Sequence, residues 1–310
     1  MYGQFLVIFA LILTGYVFRK LNMISEEMNQ GLSRLIVYLS FPCFIFYKVA
    51  ETELTGGFLK EFILMIALSF TVFMFYGLYA YGYARLLRFP KEDAASAEMM
   101  MIFPNNAFMG FPITYLFFGN TGLIFMIANN IAMNLTAFSY GIFILRRGGG
   151  KKEFSLLSIA KCLVNPNILA LIAGLLFCSF EIGIPEVLGT YLGYLGSLCT
   201  PLAMIFIGAT LVGTNGIQVI KDRIIVESVI NKNFLLPVLT YLTVIVMPVD
   251  GIIKAVIIFS ACFPSATVAS LLVAAEGKNS VLACRILVVS TMVSVISLPV
   301  SAWLINILIL

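Results

Sequence analysis

Two short runs, Phe103-Pro104-Asn105-Asn106 and Phe263-Pro264-Ser265-Ala266-Thr267, carry the polar chemistry of two otherwise apolar stretches. Proline removes a backbone donor and clashes with the preceding turn, so each run must break the helix that contains it. The half-helices that restart after Asn106 and after Ser265 present unpaired N–H groups with partial positive charge. Two such ends facing each other can hold a carboxylate or another anion without a fixed cation. The amides of Asn105 and Asn106 both donate and accept, so they can cap the broken turn, bind a substrate, or do both.

Further polar residues lie inside apolar segments. Asn130 and Asn134 share one helical face, beside Asn129, and such amides serve helix-to-helix hydrogen bonding or ligand contact. Ser290, Thr291 and Ser294 can back-bond to their own helix or face a site. Pro42 and Pro201 are kinks, and their matched positions suggest paired bends that line the site. Glu98 and Glu276 are the acids nearest the breaks; each reads as a helix-end charge or, if partly buried, as a carrier of a coupling proton. Arg285 either snorkels to the surface, pairs with Glu98, Glu227 or Glu276, or attracts anions.

Catalytic chemistry has little to build on. The chain has no histidine, and Asp93, Asp222 and Asp250 fall in expected loops rather than as a pair within the membrane, which argues against an intramembrane enzyme. Its six cysteines lie singly in or beside apolar segments and read as small buried hydrophobes rather than metal ligands. No cofactor is expected. A coupling ion is left open between proton and sodium, and a channel or membrane sensor using the same polar breaks is the alternative to a carrier.

The elements that must position these residues follow from composition. With 61% hydrophobic residues, 11% charged residues and a mean hydropathy of +1.04, the chain belongs to the membrane class, with the lipid bilayer as its partner. Helices are expected at about 3–19, 28–48, 60–82, 95–117, 121–145, 163–180, 188–211, 225–247, 254–275 and 281–307, ten spans in all at about 20 residues each. Gly15 and Gly174, and Pro42 and Pro201, recur 159 residues apart, and Phe103-Pro104 recurs as Phe263-Pro264 after 160. Five spans per half is an odd number, so the expected fold is all-helical, with two inverted five-helix repeats whose broken fourth and ninth helices cross. The repeats are read as 1–145 and 163–310, joined by a cytoplasmic linker at 146–162.

Of the 19 Lys and Arg residues, only Lys48, Lys60 and Lys254 fall at one set of helix ends. The other sixteen, Lys232 among them, are placed at the opposite ends, a strong positive-inside bias. Both termini are thus expected outside the cell membrane, with the longest loop in the cytoplasm and no cleaved signal peptide. The net charge of +4 is a topology signal, and no nucleic-acid partner is expected.

In order and spacing the chain resembles the auxin efflux carrier family, which includes plant auxin exporters and bacterial permeases associated with malate and malonate. The resemblance runs through Gly15-Tyr16 with Arg19, Phe41-Pro42, Pro104-Asn105-Asn106 with Gly110-Phe111-Pro112, and Asn165-Pro166. It continues through Pro201-Leu202-Ala203 with Gly208, Pro264-Ser265-Ala266, and Ser290-Thr291 with Leu298-Pro299. It implies the bile-acid-symporter-like fold, a transport unit with the crossing helices beside a scaffold of helices 1, 2, 6 and 7, and elevator-like alternating access. It also implies a scaffold through which such chains can form homodimers. Asn105 matches the asparagine that contacts the substrate carboxylate in the plant exporters, while Ser265 stands in place of a glutamine. The long loop of many plant members is missing, so a prokaryotic-type permease for a small organic anion, a mono- or dicarboxylate, is the closer likeness.

Overall fold

A computed structural model describes residues 2–52, 57–147, 166–212 and 222–308. The expected linker, with Gly148, Gly149 and Gly150, lies outside them, as do Lys151, Lys152, Lys161, Cys162, Asn165 and Lys221. The described residues are helical, joined by short turns, and five helices are long and apolar enough to cross a membrane.

Helix α1 (Tyr2–Lys20) ends on Arg19 and Lys20, whose charge suits the negative end of the helix dipole. α2 (Glu26–Ala50) starts at Ser25, whose side chain accepts from the Met28 N–H. It contains a π-helical turn at Ile36–Ser40, immediately before Phe41-Pro42. The wider turn absorbs the hydrogen bond that Pro42 cannot donate. α3 (Phe58–Leu86) follows, then α4 (Lys91–Ile102). α4 stops because Pro104 disfavours the helical conformation at Phe103, which is extended at φ −93°, ψ 120°.

α5 (Asn106–Arg146) restarts after the break and is bent at Gly119, where φ 61° and ψ −155° suit only a residue without Cβ. The expected boundary between spans four and five falls at that glycine. α6 (Pro166–Ser179) and α7 (Glu186–Thr210) come next, with an interruption at Leu198 shortly before Pro201. α8 (223–244) opens on Asp222 and contains a π-helical turn at Asn231–Leu235. α9 (Gly251–Cys262) ends as α4 does, with Phe263 extended before Pro264, and α10 (Thr267–Ala275) and α11 (Ser280–Leu308) complete the chain.

The helices fall into two groups. In the first, α1 packs along α7, and α2 packs along α6 and α7. Close approach needs glycine: a Cβ on Gly15 would strike the Ile205 carbonyl, and one on Gly208 would strike the Ile12 carbonyl. Gly174 of α6 approaches Val49 and the Phe46 carbonyl of α2 less closely, at about 3.0 Å from where a Cβ would lie. The second group gathers α3, α4, α5 and α8–α11 around the fully buried run Met99–Phe103. The groups meet along a seam of aromatic rings, with Phe41 against Phe108 at 5.8 Å, Phe44 against Tyr115 at 5.3 Å, and Phe108 against Phe206 at 4.8 Å between centroids.

A crossover of two broken helices as the candidate functional site

The two breaks meet. Pro104 and Ser265 form an antiparallel bridge in which the Asn105 N–H donates to the Pro264 carbonyl and the Ala266 N–H to the Phe103 carbonyl, both at 2.8 Å. Each break therefore satisfies backbone groups that the other exposes, which matters where lipid offers no partner. The proline-orphaned carbonyls are also accounted for. The Met100 carbonyl lacks the donor that residue 104 would have supplied, and the Ser265 hydroxyl donates to it at 2.6 Å. The Ser265 N–H in turn donates to the Ser290 hydroxyl at 3.1 Å.

These bonds divide the expected site residues. Asn106 is fully buried and faces away from any opening: its Nδ2 donates to Asn129 Oδ1 at 2.7 Å. Asn129 Nδ2 donates to Ser69 at 2.9 Å, and the Ser260 hydroxyl lies 3.0 Å from Asn106 Oδ1 and 2.8 Å from Asn129 Oδ1. A four-residue network thus joins α3, α5 and α9 behind the crossover. Ser265 and Ser290 are likewise spent on bracing the second break.

Asn105 differs. It stands at the start of α5 without a side-chain capping bond and lines a crevice of about 20 Å³ with Thr267 and Thr291. Across the crevice stand Phe206, Ile207, Thr210 and Leu211, at the end of α7. At that volume it holds about one water molecule. α5 and α10 start beside it; the Asn106 N–H turns to the Pro104 carbonyl at 2.9 Å, and the N–H groups of a helix's first turn otherwise lack intrahelical partners.

The remaining expectations separate from this centre. Asn130 and Asn134 are only half-buried and do not line the crevice; Asn129, one residue along, is the member of that cluster that reaches the crossover. Pro42 and Pro201 follow matched helix irregularities and do not line the crevice. The acids are paired: Glu98, fully buried, with Arg147 at 2.8 Å, and Glu276 with Arg146 through two bonds of 2.8 Å. Glu227 accepts from Tyr83 at 3.0 Å. Arg285 is half-buried near the start of α11, and the carboxylates expected to meet it are engaged by these other groups.

Lys232 overturns its assignment to a helix end. It is fully buried in the π-helical turn midway along α8, with its Nζ 3.5 Å from the Ala261 carbonyl. That carbonyl has lost its helical partner, because the Ser265 N–H has turned to Ser290. The amino group thus faces the negative end of α9. Reading this from the sequence requires knowing that the polar pair Asn231 and Asn233 flanking Lys232 faces inward, toward Tyr79 and the Ser290 carbonyl.

Known proteins are similar to the chain in sequence. An uncharacterized transporter of Methanothermobacter thermautotrophicus is 25% identical over 295 residues, covering 95% of each chain. An uncharacterized transporter of Methanocaldococcus jannaschii is 25% identical over 210 residues, covering 66% of this chain and 67% of its own. A family model described as "Membrane transport protein" matches residues 1–302. The chain therefore belongs to this auxin-efflux-carrier-like family of membrane transporters, and it is not an enzyme.

Proposed function

We propose that the protein is a secondary carrier for a small organic anion, a mono- or dicarboxylate, bound at the crevice between the crossover and α7. The observation that carries this reading is the placement of Asn105 and Thr267 at the starts of α5 and α10, around one crevice. Two helix N-termini supply oriented N–H groups and partial positive charge, and Asn105 and Thr291 add hydrogen-bonding side chains. Asn106, Ser265 and Ser290 hold that geometry instead of touching substrate.

An elevator-like movement of the second helix group against the first would open the crevice, which is too small for a carboxylate as it stands. The aromatic seam between the groups supports it, since ring contacts can re-form after a slide where fixed hydrogen bonds would have to break. The reading of ten spans in two inverted repeats is supported by the packing of α1 on α7 and of α6 on α2, through the repeat-related Gly15 and Gly174. In this reading both termini face outward, Arg146 and Arg147 face the cytoplasm, and the first helix group is the surface for a homodimer.

Counterflow in proteoliposomes tests the proposal, with labelled and unlabelled mono- and dicarboxylates on opposite sides. A carrier exchanges them, and Asn105→Ala should cut exchange at least tenfold while leaving protein yield unchanged. A conductance without trans-stimulation, or unaltered exchange by Asn105→Ala, rejects this assignment.

A further inference from the structure

Among the described residues that are buried, Lys232 is the only cation. It stands about 14 Å along α8 from Arg223, and so near the centre of a hydrocarbon core about 30 Å thick. A lysine near a helix end snorkels to water, which a side chain with no exposed surface at this depth does not do. It lies in the π-helical turn of α8 between Asn231 and Asn233, both buried as well, and such turns recur at functional sites.

A buried charge is ordinarily paired with an opposite one. Among the described residues no carboxylate pairs with Lys232: Glu98 and Glu276 meet Arg147 and Arg146, and Glu227, earlier on α8, accepts from Tyr83. What faces the ammonium is the Ala261 carbonyl at 3.5 Å, in the last turn of α9. The second break makes that end of α9 electron-rich. The Ser265 N–H turns to the Ser290 hydroxyl and the Ala266 N–H to the Phe103 carbonyl, so the Ala261 and Cys262 carbonyls lose the donors that an unbroken helix would supply. Half-helix carboxyl ends of this kind are where cation-coupled carriers hold the coupling ion. The same turn of α8 also engages Ser290, whose carbonyl accepts from Asn233 Nδ2 at 2.9 Å.

We propose that Lys232 is a tethered counter-cation of the crossover: its ammonium fills, at the carboxyl end of α9, the place that a free monovalent cation would otherwise take. It is a positioning residue, which cancels the negative end of α9 beside the crevice where the anion enters. The consequence that the anion crosses without a co-bound metal ion rests on the carrier reading above. The role of Lys232 in the crossover does not.

The full chain in lipid nanodiscs is therefore melted in the chloride salts of sodium, N-methylglucamine and propylammonium. Wild type should melt at one temperature in all three. Lys232→Ala removes the atoms of one propylammonium, and that cation should raise the variant's melting temperature saturably, by about 2–4 °C. Propan-1-ol, of the same length and without charge, should not. Lys232→Ser, whose hydroxyl can hold water in the vacated space, replaces the first variant should that not fold, and the wild-type arm is decisive whichever variant folds. Equal rescue by propan-1-ol, which would make the side chain a space-filler, overturns the proposal. So does a variant that responds to neither compound, or a saturable, sodium-specific rise in the wild type. In counterflow, wild-type exchange should be unchanged when N-methylglucamine replaces sodium, and dependence on sodium also overturns the proposal. If no carboxylate is exchanged at all, the carrier reading fails while the melting arms still decide the role of Lys232.

Discussion

The Ser265 hydroxyl donates to the carbonyl of Met100, 165 residues earlier in the chain. This bond repairs the consequence of a proline in the other half, since residue 104 has no N–H for that carbonyl. Ser265→Ala should therefore lower stability by about 1–3 kcal/mol, the cost of an unpaired buried acceptor. Ser265→Thr, which keeps the hydroxyl, should recover part of the loss. Thermal unfolding of the purified variants in detergent measures both, and an unchanged melting temperature for Ser265→Ala would show that another donor takes its place.

The network around Asn129 separates two adjacent asparagines. Asn106→Ala removes one of the two donors to Asn129 Oδ1, leaving the Ser260 hydroxyl as the other, so it should reduce yield and melting temperature by about 1 kcal/mol, the net worth of a buried hydrogen bond. Asn105→Ala should leave both nearly unaltered and act on transport alone. Comparing unfolding with ligand-driven counterflow for the pair gives opposite rankings if these roles are right.

Arg147 holds a carboxylate that water cannot reach, because Glu98 is 1% exposed while Arg147 is 34% exposed. Arg147→Ala leaves a buried charge without its partner, at a cost of about 3 kcal/mol, the low end for buried pairs because the arginine is partly solvated. Glu98→Gln combined with Arg147→Ala should regain most of that loss. A double-mutant cycle on unfolding free energies decides it, and additive losses would show that the pair is not coupled.

Helix α1 depends on bare backbone contact with α7. Gly208→Ala places a methyl group against the Ile12 carbonyl and should destabilise by about 1–3 kcal/mol or block folding. Gly82→Ala in α3 meets nothing within 4 Å and should stabilise by up to about 1 kcal/mol through helix propensity. Opposite shifts in melting temperature are expected from the same chemical change.

The two breaks, the bend near Gly119 and most helix positions were legible in the sequence, because proline and glycine act on their own backbone. The residues that surround the breaks were less so. Asn129 rather than Asn130 meets the crossover, since one step along a helix turns a side chain by about 100° and neighbouring amides look alike in sequence. Ser69 and Ser260 join them from two other helices, a coincidence in space that no local spacing records. Lys232 was misplaced for a related reason: a lysine among asparagines resembles a solvated helix end, and only the freed Ala261 carbonyl explains why it is buried.

The hydrogen bond from the Ala266 N–H to the Phe103 carbonyl also sets a clock on biosynthesis. The ribosome delivers the first break about 160 residues before the second, which at roughly 5–20 residues per second is on the order of 8–30 s. During that interval the Phe103 and Met100 carbonyls sit in a half-inserted protein with neither donor yet made. The nascent first break must be sheltered, by the insertion machinery or by water drawn into the membrane, until the second break arrives to close it.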